Sequence, residues 1–190
     1  ENPNYTNVNF PSPVDIPYVP DDNPCGVYRR NFTLAQKWGQ VYFVLEGVAS
    51  CAFVYVNGEY VGFTQGSHLQ AEFDITSFVK EGENTLTLYV EDDTRSFMQA
   101  RGKQSEEFYS HGCDYTRTTG IWQTVWLEFV PKFYVKNIRY YADIEEKCFN
   151  VDVSVYGSGN LMLAAFYKGN IQGTVEKHVK GDGNKLVLPV

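Results

Sequence analysis

The residues best equipped for chemistry crowd into one stretch of the chain. From Glu91 to Thr119 it carries Asp92-Asp93-Thr94-Arg95-Ser96, then Gly102-Lys103-Gln104-Ser105, then Ser110-His111-Gly112-Cys113-Asp114-Tyr115-Thr116-Arg117. Carboxylates, hydroxyls and amides there can take several hydrogen bonds at once. The rings of Phe97, Phe108, Tyr109 and Tyr115 add faces for stacking. This is the composition of a polar site with aromatic walls. The stretch shows little β alternation, and an irregular loop of more than ~20 residues inside a compact domain is usually functional or disordered. It is read as a functional loop, with a merely long surface connection as the alternative.

Other chemistries find less support. Asp92-Asp93 invites a calcium reading, yet no series of alternating oxygen ligands follows it. The four cysteines (Cys25, Cys51, Cys113, Cys148) form no CxxC, and with His68, His111 and His178 they offer no zinc spacing. Two disulfides are arithmetically open. The chain size and the apolar strand pattern around Cys51 favour reduced thiols. Asn4-Tyr5-Thr6 and Asn31-Phe32-Thr33 match the glycosylation triplet, which is short enough to arise by chance.

Something must hold the loop in place, and the rest of the sequence reads as strands. Residues 1–26 contain Pro3, Pro11, Pro13, Pro17, Pro20 and Pro24, which predicts an extended arm. Alternating runs follow at Val27 to Leu34, at Gln40 to Val48 (Val41, Phe43 and Leu45 on one face), at Cys51 to Val56 and at Tyr60 to Phe63. Asn57-Gly58 between two such runs is a strong hairpin signal, because both central positions of a type I′ turn need positive φ. Ala71 to Ile75 is a short strand, and Gly82-Glu83-Asn84 is read as a turn before Thr85 to Val90. Gly120 to Val130 alternates Ile121/Gln123/Val125 against Trp122/Thr124/Trp126. The tryptophan pair is assigned to the core ahead of a sugar-stacking platform, and Trp38 stands near a turn. No ten-residue window has helical periodicity. The expectation is therefore all-β, a β-sandwich or jelly roll over residues 27–130.

Pro131 marks a boundary, after which strands restart at Tyr134, Phe149, Leu161, Thr174 and Lys185. Turns are expected at Gly157-Ser158-Gly159 and Gly181-Asp182-Gly183. About five strands over residues 131–190 fall short of the ~7 strands of an immunoglobulin-like sandwich. That region is expected to be a truncated domain of this type, with a small complete domain as the alternative. Composition agrees with a folded chain: 43% of the 190 residues are hydrophobic and 16% aromatic. A net charge of −7 without a basic block makes nucleic acid and anionic lipid poor partners. No apolar run approaches the ~20 residues of a membrane span. The chain begins Glu1-Asn2-Pro3, as if cut from a longer protein; no targeting segment is legible, and a cytoplasmic location is the working expectation.

Several segments together resemble the sugar-binding domain of family 2 glycoside hydrolases. Pro20-Asp21-Asp22-Asn23-Pro24-Cys25-Gly26-Val27-Tyr28-Arg29 resembles the family's VP-x-x-NPTG-x-Y-R motif, a form typical of β-galactosidases. Leu45-Glu46-Gly47-Val48-Ala49-Ser50-Cys51-Ala52-Phe53 resembles its F-x-GV-x-S-x-F strand, and Val56-Asn57-Gly58-Glu59-Tyr60-Val61-Gly62 its hairpin. Glu72-Phe73-Asp74-Ile75-Thr76, Gly82-Glu83-Asn84, and Asp114 with Gly120-Ile121-Trp122-Gln123-Thr124-Val125-Trp126-Leu127 complete the series. Each motif is weak alone; their order and spacing over residues 5–130 are specific.

The resemblance implies a retaining glycosidase in which a jelly roll precedes an immunoglobulin-like domain and a (β/α)₈ barrel bearing two catalytic glutamates. A barrel takes about 200 residues, so no carboxylate of this chain is given a catalytic role, and the chain alone is expected to be inactive. It implies that Asp114 contacts glycone hydroxyls at the pocket edge and is a possible ligand of an auxiliary Na⁺ or Mg²⁺. His111 and Arg117 are further substrate-binding candidates; a plain loop histidine and a surface ion pair are their bland alternatives. Ala49 stands where galactosidases often carry a sugar-facing Asn, so either a neighbour such as His68 substitutes or the glycone differs. The partners expected are carbohydrate and the protein's own downstream barrel, in a homo-oligomeric full-length enzyme. The alternatives are a β-glucuronidase or β-mannosidase of the same family, and a free-standing carbohydrate-binding module.

Overall fold

The computed structural model of the chain describes residues 25–36, 39–92, 102–107, 111–115 and 119–190. The described residues contain strands and no helix. They divide into two compact units, one ending at Phe129 and the other starting at Val130. The extended arm expected at 1–26 lies outside the described residues except for its last two.

In the first unit, one four-stranded antiparallel sheet runs β1-β7-β4-β5, built from β1 (Gly26–Leu34), β4 (Cys51–Val56), β5 (Glu59–Gln65) and β7 (Gly82–Glu91). A three-stranded sheet runs β6-β2-β9, from β2 (Gln40–Leu45), β6 (Ala71–Asp74) and β9 (Val125–Val130). A two-residue pair, β3 (Val48–Ala49) with β8 (Gly120–Ile121), stands between them in the chain. Alternation decides which side chains turn inward. Leu86, Leu88 and Val90 of β7, Ala52, Val54 and Val56 of β4, and Val41, Phe43 and Leu45 of β2 make one apolar core with Ile75 and Val79. Phe43 is 1% exposed and stacks on Phe73 across the β2/β6 pair with ring centroids 6.3 Å apart.

The Asn57-Gly58 hairpin forms as the dipeptide predicts, with φ of +54° and +86°. Gly82-Glu83-Asn84, by contrast, is not a turn. Gly82 already pairs with Leu34, so β7 begins there. The reason is Asn84, which is buried and works as an internal turn-maker. Its carbonyl oxygen accepts from the Lys80 main-chain N–H and from Asn57 Nδ2, both at 2.9 Å. Its amide donates to the Lys80 and Gly82 carbonyls at 2.7 and 3.0 Å. The sharp connection thus falls at residues 79–81, one step earlier than the glycine suggests.

The Gly120 to Val130 run is also not one strand. It breaks into β8 and β9, with Trp122, Gln123 and Thr124 between. The break changes which faces are buried: Ile121 and Leu127 pack against the core, while Trp122 and Trp126 stay half-buried outside it. The core assignment of the tryptophans is therefore corrected.

The second unit has five antiparallel strands. β10 (Tyr134–Asp143), β11 (Cys148–Tyr156) and β14 (Asn184–Pro189) form one sheet in the order β10-β11-β14. β12 (Ser158–Tyr167) and β13 (Asn170–Lys180) form a hairpin across Lys168-Gly169, both at positive φ. Val151, Val153, Val155, Val179 and Leu186 are its core. Of the two glycine-rich turns, only Gly157 of the first lies outside a strand, because Ser158 and Gly159 already belong to β12. The second spans Gly181 to Gly183 as expected.

All four cysteines are free; Cys51 and Cys148 are buried, Cys25 and Cys113 exposed. Burial first, and then the charge of Glu91 opposite it on β7, hold the Cys51 thiol above its ordinary value of 9.0. Two outcomes are expected. A maleimide should label Cys25 and Cys113 in the folded chain and reach Cys51 only on unfolding. Above the ordinary thiol pKa, the unfolded chain gives up the Cys51 proton first, so stability should fall as pH rises. Urea midpoints at pH 8 and pH 10, compared with those of Cys51→Ala, measure that share of the slope; an identical slope without the thiol rejects it.

Candidate functional site

The polar loop leaves the first sheet at the end of β7, and its footing is a carboxylate. Asp92 is fully buried. Gln104 Nε2 donates to one of its oxygens at 3.2 Å, and Thr119 Oγ1 donates to the other at 2.9 Å. Thr119 directly precedes β8, so one side chain ties the inner strand of the loop to its exit. Burying a carboxylate is costly unless each oxygen finds donors. The calcium reading of Asp92 is replaced by these protein donors; Asp93 lies outside the described residues.

From that footing the loop pairs with itself. Ser105 N–H donates to the Tyr115 carbonyl at 2.5 Å, and Tyr115 N–H donates to the Lys103 carbonyl at 2.7 Å, a short parallel bridge centred on Gln104 and Tyr115. Beyond it, His111 and Asp114 close a four-residue turn in both directions: His111 N–H to the Asp114 carbonyl at 3.0 Å, and Asp114 N–H to the His111 carbonyl at 2.8 Å. Gly112 sits at φ +55°, the left-handed region such a tight turn needs at its first central position. The described part of the stretch is thus a built element.

Three side chains meet on this turn. His111 Nδ1 is 3.3 Å from Ser105 Oγ, and His111 Nε2 is 3.7 Å from Asp114 Oδ2. Ser, His and Asp in contact suggest a hydrolytic triad, and two facts exclude that reading. Ser105 is fully buried and already accepts a bond from the Glu107 N–H at 3.1 Å. The ring nitrogens are also used in the opposite sense, carboxylate on Nε2 and hydroxyl on Nδ1. The arrangement instead holds the Asp114 carboxylate, about one-third exposed, on a turn closed by two main-chain bonds. Its free lone pairs can accept from hydroxyl groups of a bound molecule. Tyr115, 45% exposed, stands next to it in the chain.

The other sequence candidates distribute unevenly. Arg117 lies outside the described residues, as do Trp38, Phe97, Phe108 and Tyr109. His68 is exposed and meets the half-buried Trp122 edge to face, centroids 5.3 Å apart. Trp122 Nε1 donates to the Ser67 carbonyl at 3.1 Å and its indole covers Gly47, where an added Cβ would lie 2.9 Å from Cε2. His68 Nε2 also lies against Gly102, 3.1 Å from where its Cβ would stand, so the 66–69 turn touches the polar loop at Gly102. Ala49 is buried within β3, paired with Gly120. Among the described residues no three His, Cys, Asp or Glu side chains converge. Among the described residues, the ring of His111 lies beside the Asp114 carboxylate, with Nε2 3.7 Å from Oδ2.

Sequence reasoning missed the structural trio Asp92, Gln104 and Ser105. One signal was present. Asp92 continues the inward series Leu86, Leu88, Val90 at period two, which marks it as a polar residue on a core-facing position.

Comparison with known proteins adds to this geometry. The pattern of the family "Glycosyl hydrolases family 2, sugar binding domain" matches residues 1–131. A β-galactosidase of Lactococcus lactis is 37% identical over 147 residues, which are 76% of this chain and 14% of that protein. A β-galactosidase of Actinobacillus pleuropneumoniae is 37% identical over 151 residues, 78% of this chain and again 14% of that protein. The chain therefore spans about one-seventh of these relatives. Among solved structures, a β-glucuronidase of Bacteroides uniformis superposes with a TM-score of 0.64 at 24% identity, over 87% of this chain and 21% of that one. A β-glucuronidase of Ruminococcus gnavus gives 0.63 at 17% identity, over 89% and 31%. At those identities the likeness establishes the fold alone.

Proposed function

The chain belongs to glycosyl hydrolase family 2, through its sugar-binding domain, and from that premise we propose that it is the non-catalytic part of a β-galactosidase acting on terminal β-D-galactosides. In this reading the 111–114 turn forms one edge of a substrate pocket that a (β/α)₈ barrel elsewhere in the full-length protein completes. The barrel supplies the two glutamates of a retaining mechanism; this chain supplies Asp114, which accepts hydrogen bonds from glycone hydroxyls. The observation that carries the reading is the Asp114 carboxylate, about one-third exposed on a doubly closed turn. The glycone comes from the 37% identity to two β-galactosidases.

The test has two arms. The 190-residue chain should release no aryl alcohol from an aryl β-galactoside, whereas the full-length protein should. The full-length protein should also favour the aryl β-galactoside over the aryl β-glucuronide in kcat/KM. Turnover by the chain alone refutes the non-catalytic assignment, and a preference for glucuronide refutes the glycone.

A further inference from the structure

We infer that Asp92 is a positioning residue for the substrate contact made by Asp114; the inference rests on the pocket reading above. Four observations carry it. Asp92 directly follows β7, at the position that continues the inward series Leu86, Leu88 and Val90 of the core, and an apolar side chain there would serve stability better than a buried carboxylate. Each of its oxygens takes a donor from a different side of the polar loop: Gln104 Nε2 at 3.2 Å and Thr119 Oγ1 at 2.9 Å. Gln104 is itself bridged to Tyr115, the neighbour of Asp114. Ser105, adjacent to Gln104, reaches the same turn through the His111 ring.

The carboxylate is the right group for this task. Its two oxygens diverge, so a single rigid side chain fixes the separation of two chain segments that strand pairing does not join. The line of contact runs Asp92, Gln104, Tyr115, Asp114. With the clasp removed, the turn keeps its own two main-chain bonds but loses its fixed place relative to the sheet. A misplacement of ~1 Å far from the reacting atoms is enough to cost a large factor in rate. Asp92 touches no substrate in this account; it acts only through the turn.

The experiment is a double-mutant cycle in the full-length protein, with an aryl β-galactoside as substrate. Asp92→Ala should lower kcat/KM at least tenfold. Asp92→Asn, which can still accept from Gln104 and donate to Thr119 Oγ1, should recover most of that loss. In the Asp114→Ala background neither change should lower kcat/KM further, because the group being positioned is gone. Thr119→Val removes one donor at little cost in shape, and it replaces Asp92→Ala if that variant does not fold. The inference is overturned if these variants leave kcat/KM unchanged, or if they lower it by the same factor with and without Asp114. An Asp114→Ala enzyme of full activity would overturn the pocket reading itself, an outcome distinct from both.

Discussion

Replacing Asp114 with alanine in the full-length protein is expected to lower kcat/KM for an aryl β-galactoside on the order of 10²-fold while leaving the thermal midpoint unchanged. The separation of the two effects follows from the local structure. The 111–114 turn is closed by main-chain bonds, and among the described residues the Asp114 side chain makes a 3.7 Å approach to a His111 ring that is itself exposed. Surface ion pairs of that kind contribute about 0–1 kcal/mol. On the proposed pocket reading the rate loss has another origin, a carboxylate accepting from sugar hydroxyls in a pocket sheltered from water, where such bonds are stronger than in solution. Asp114→Asn should fall between, since its amide keeps one acceptor and loses the charge. Steady-state kinetics of the three enzymes decides it. Equal kcat/KM for wild type and Asp114→Ala would remove the turn from the pocket.

The second large effect is structural. Phe43→Ala should destabilise the first unit by about 3–5 kcal/mol, the usual cost of emptying a buried aromatic site. Phe43 is 1% exposed and packs among the inward residues of both sheets, with Phe73 stacked beside it. A β-sandwich cannot close over such a gap, because strand spacing is fixed by main-chain hydrogen bonds. Since domains are held by only about 5–15 kcal/mol in all, most of the margin should disappear. Leu69→Ala, at a side chain 69% exposed, is the control and should move stability by no more than about 0.5 kcal/mol. Urea unfolding of the 190-residue chain reports both. Equal midpoints for Phe43→Ala and Leu69→Ala would contradict the core assignment.

Legibility in the sequence followed the range of the forces involved. Alternation is a nearest-neighbour property, so the strands of the first unit and their inward faces could be read directly from Leu86, Leu88 and Val90 or Val41, Phe43 and Leu45. The Asn57-Gly58 turn was equally clear, since positive φ is intrinsic to those residue types. Errors arose where a side chain overruled the local pattern. Asn84, bonded to Lys80, Gly82 and Asn57, moves the turn away from the glycine and converts Gly82-Glu83-Asn84 into strand. Trp122 breaks the apparent alternation of Gly120 to Val130, being held instead by the Ser67 carbonyl and the surface of Gly47.

What the sequence determined by itself was the all-β class, the family through ordered motifs, and the position of Asp114 ahead of Gly120-Ile121-Trp122. Composition and period set the first; motif order set the other two. Only the tertiary structure decided that Asp92 is a buried clasp, that Ser105 and His111 back the turn without forming a nucleophilic triad, and that no described cluster completes a cation site. The physical reason is distance along the chain. Asp92 and Thr119 are 27 residues apart, and hydrogen bonds between such positions depend on a register that no local preference encodes.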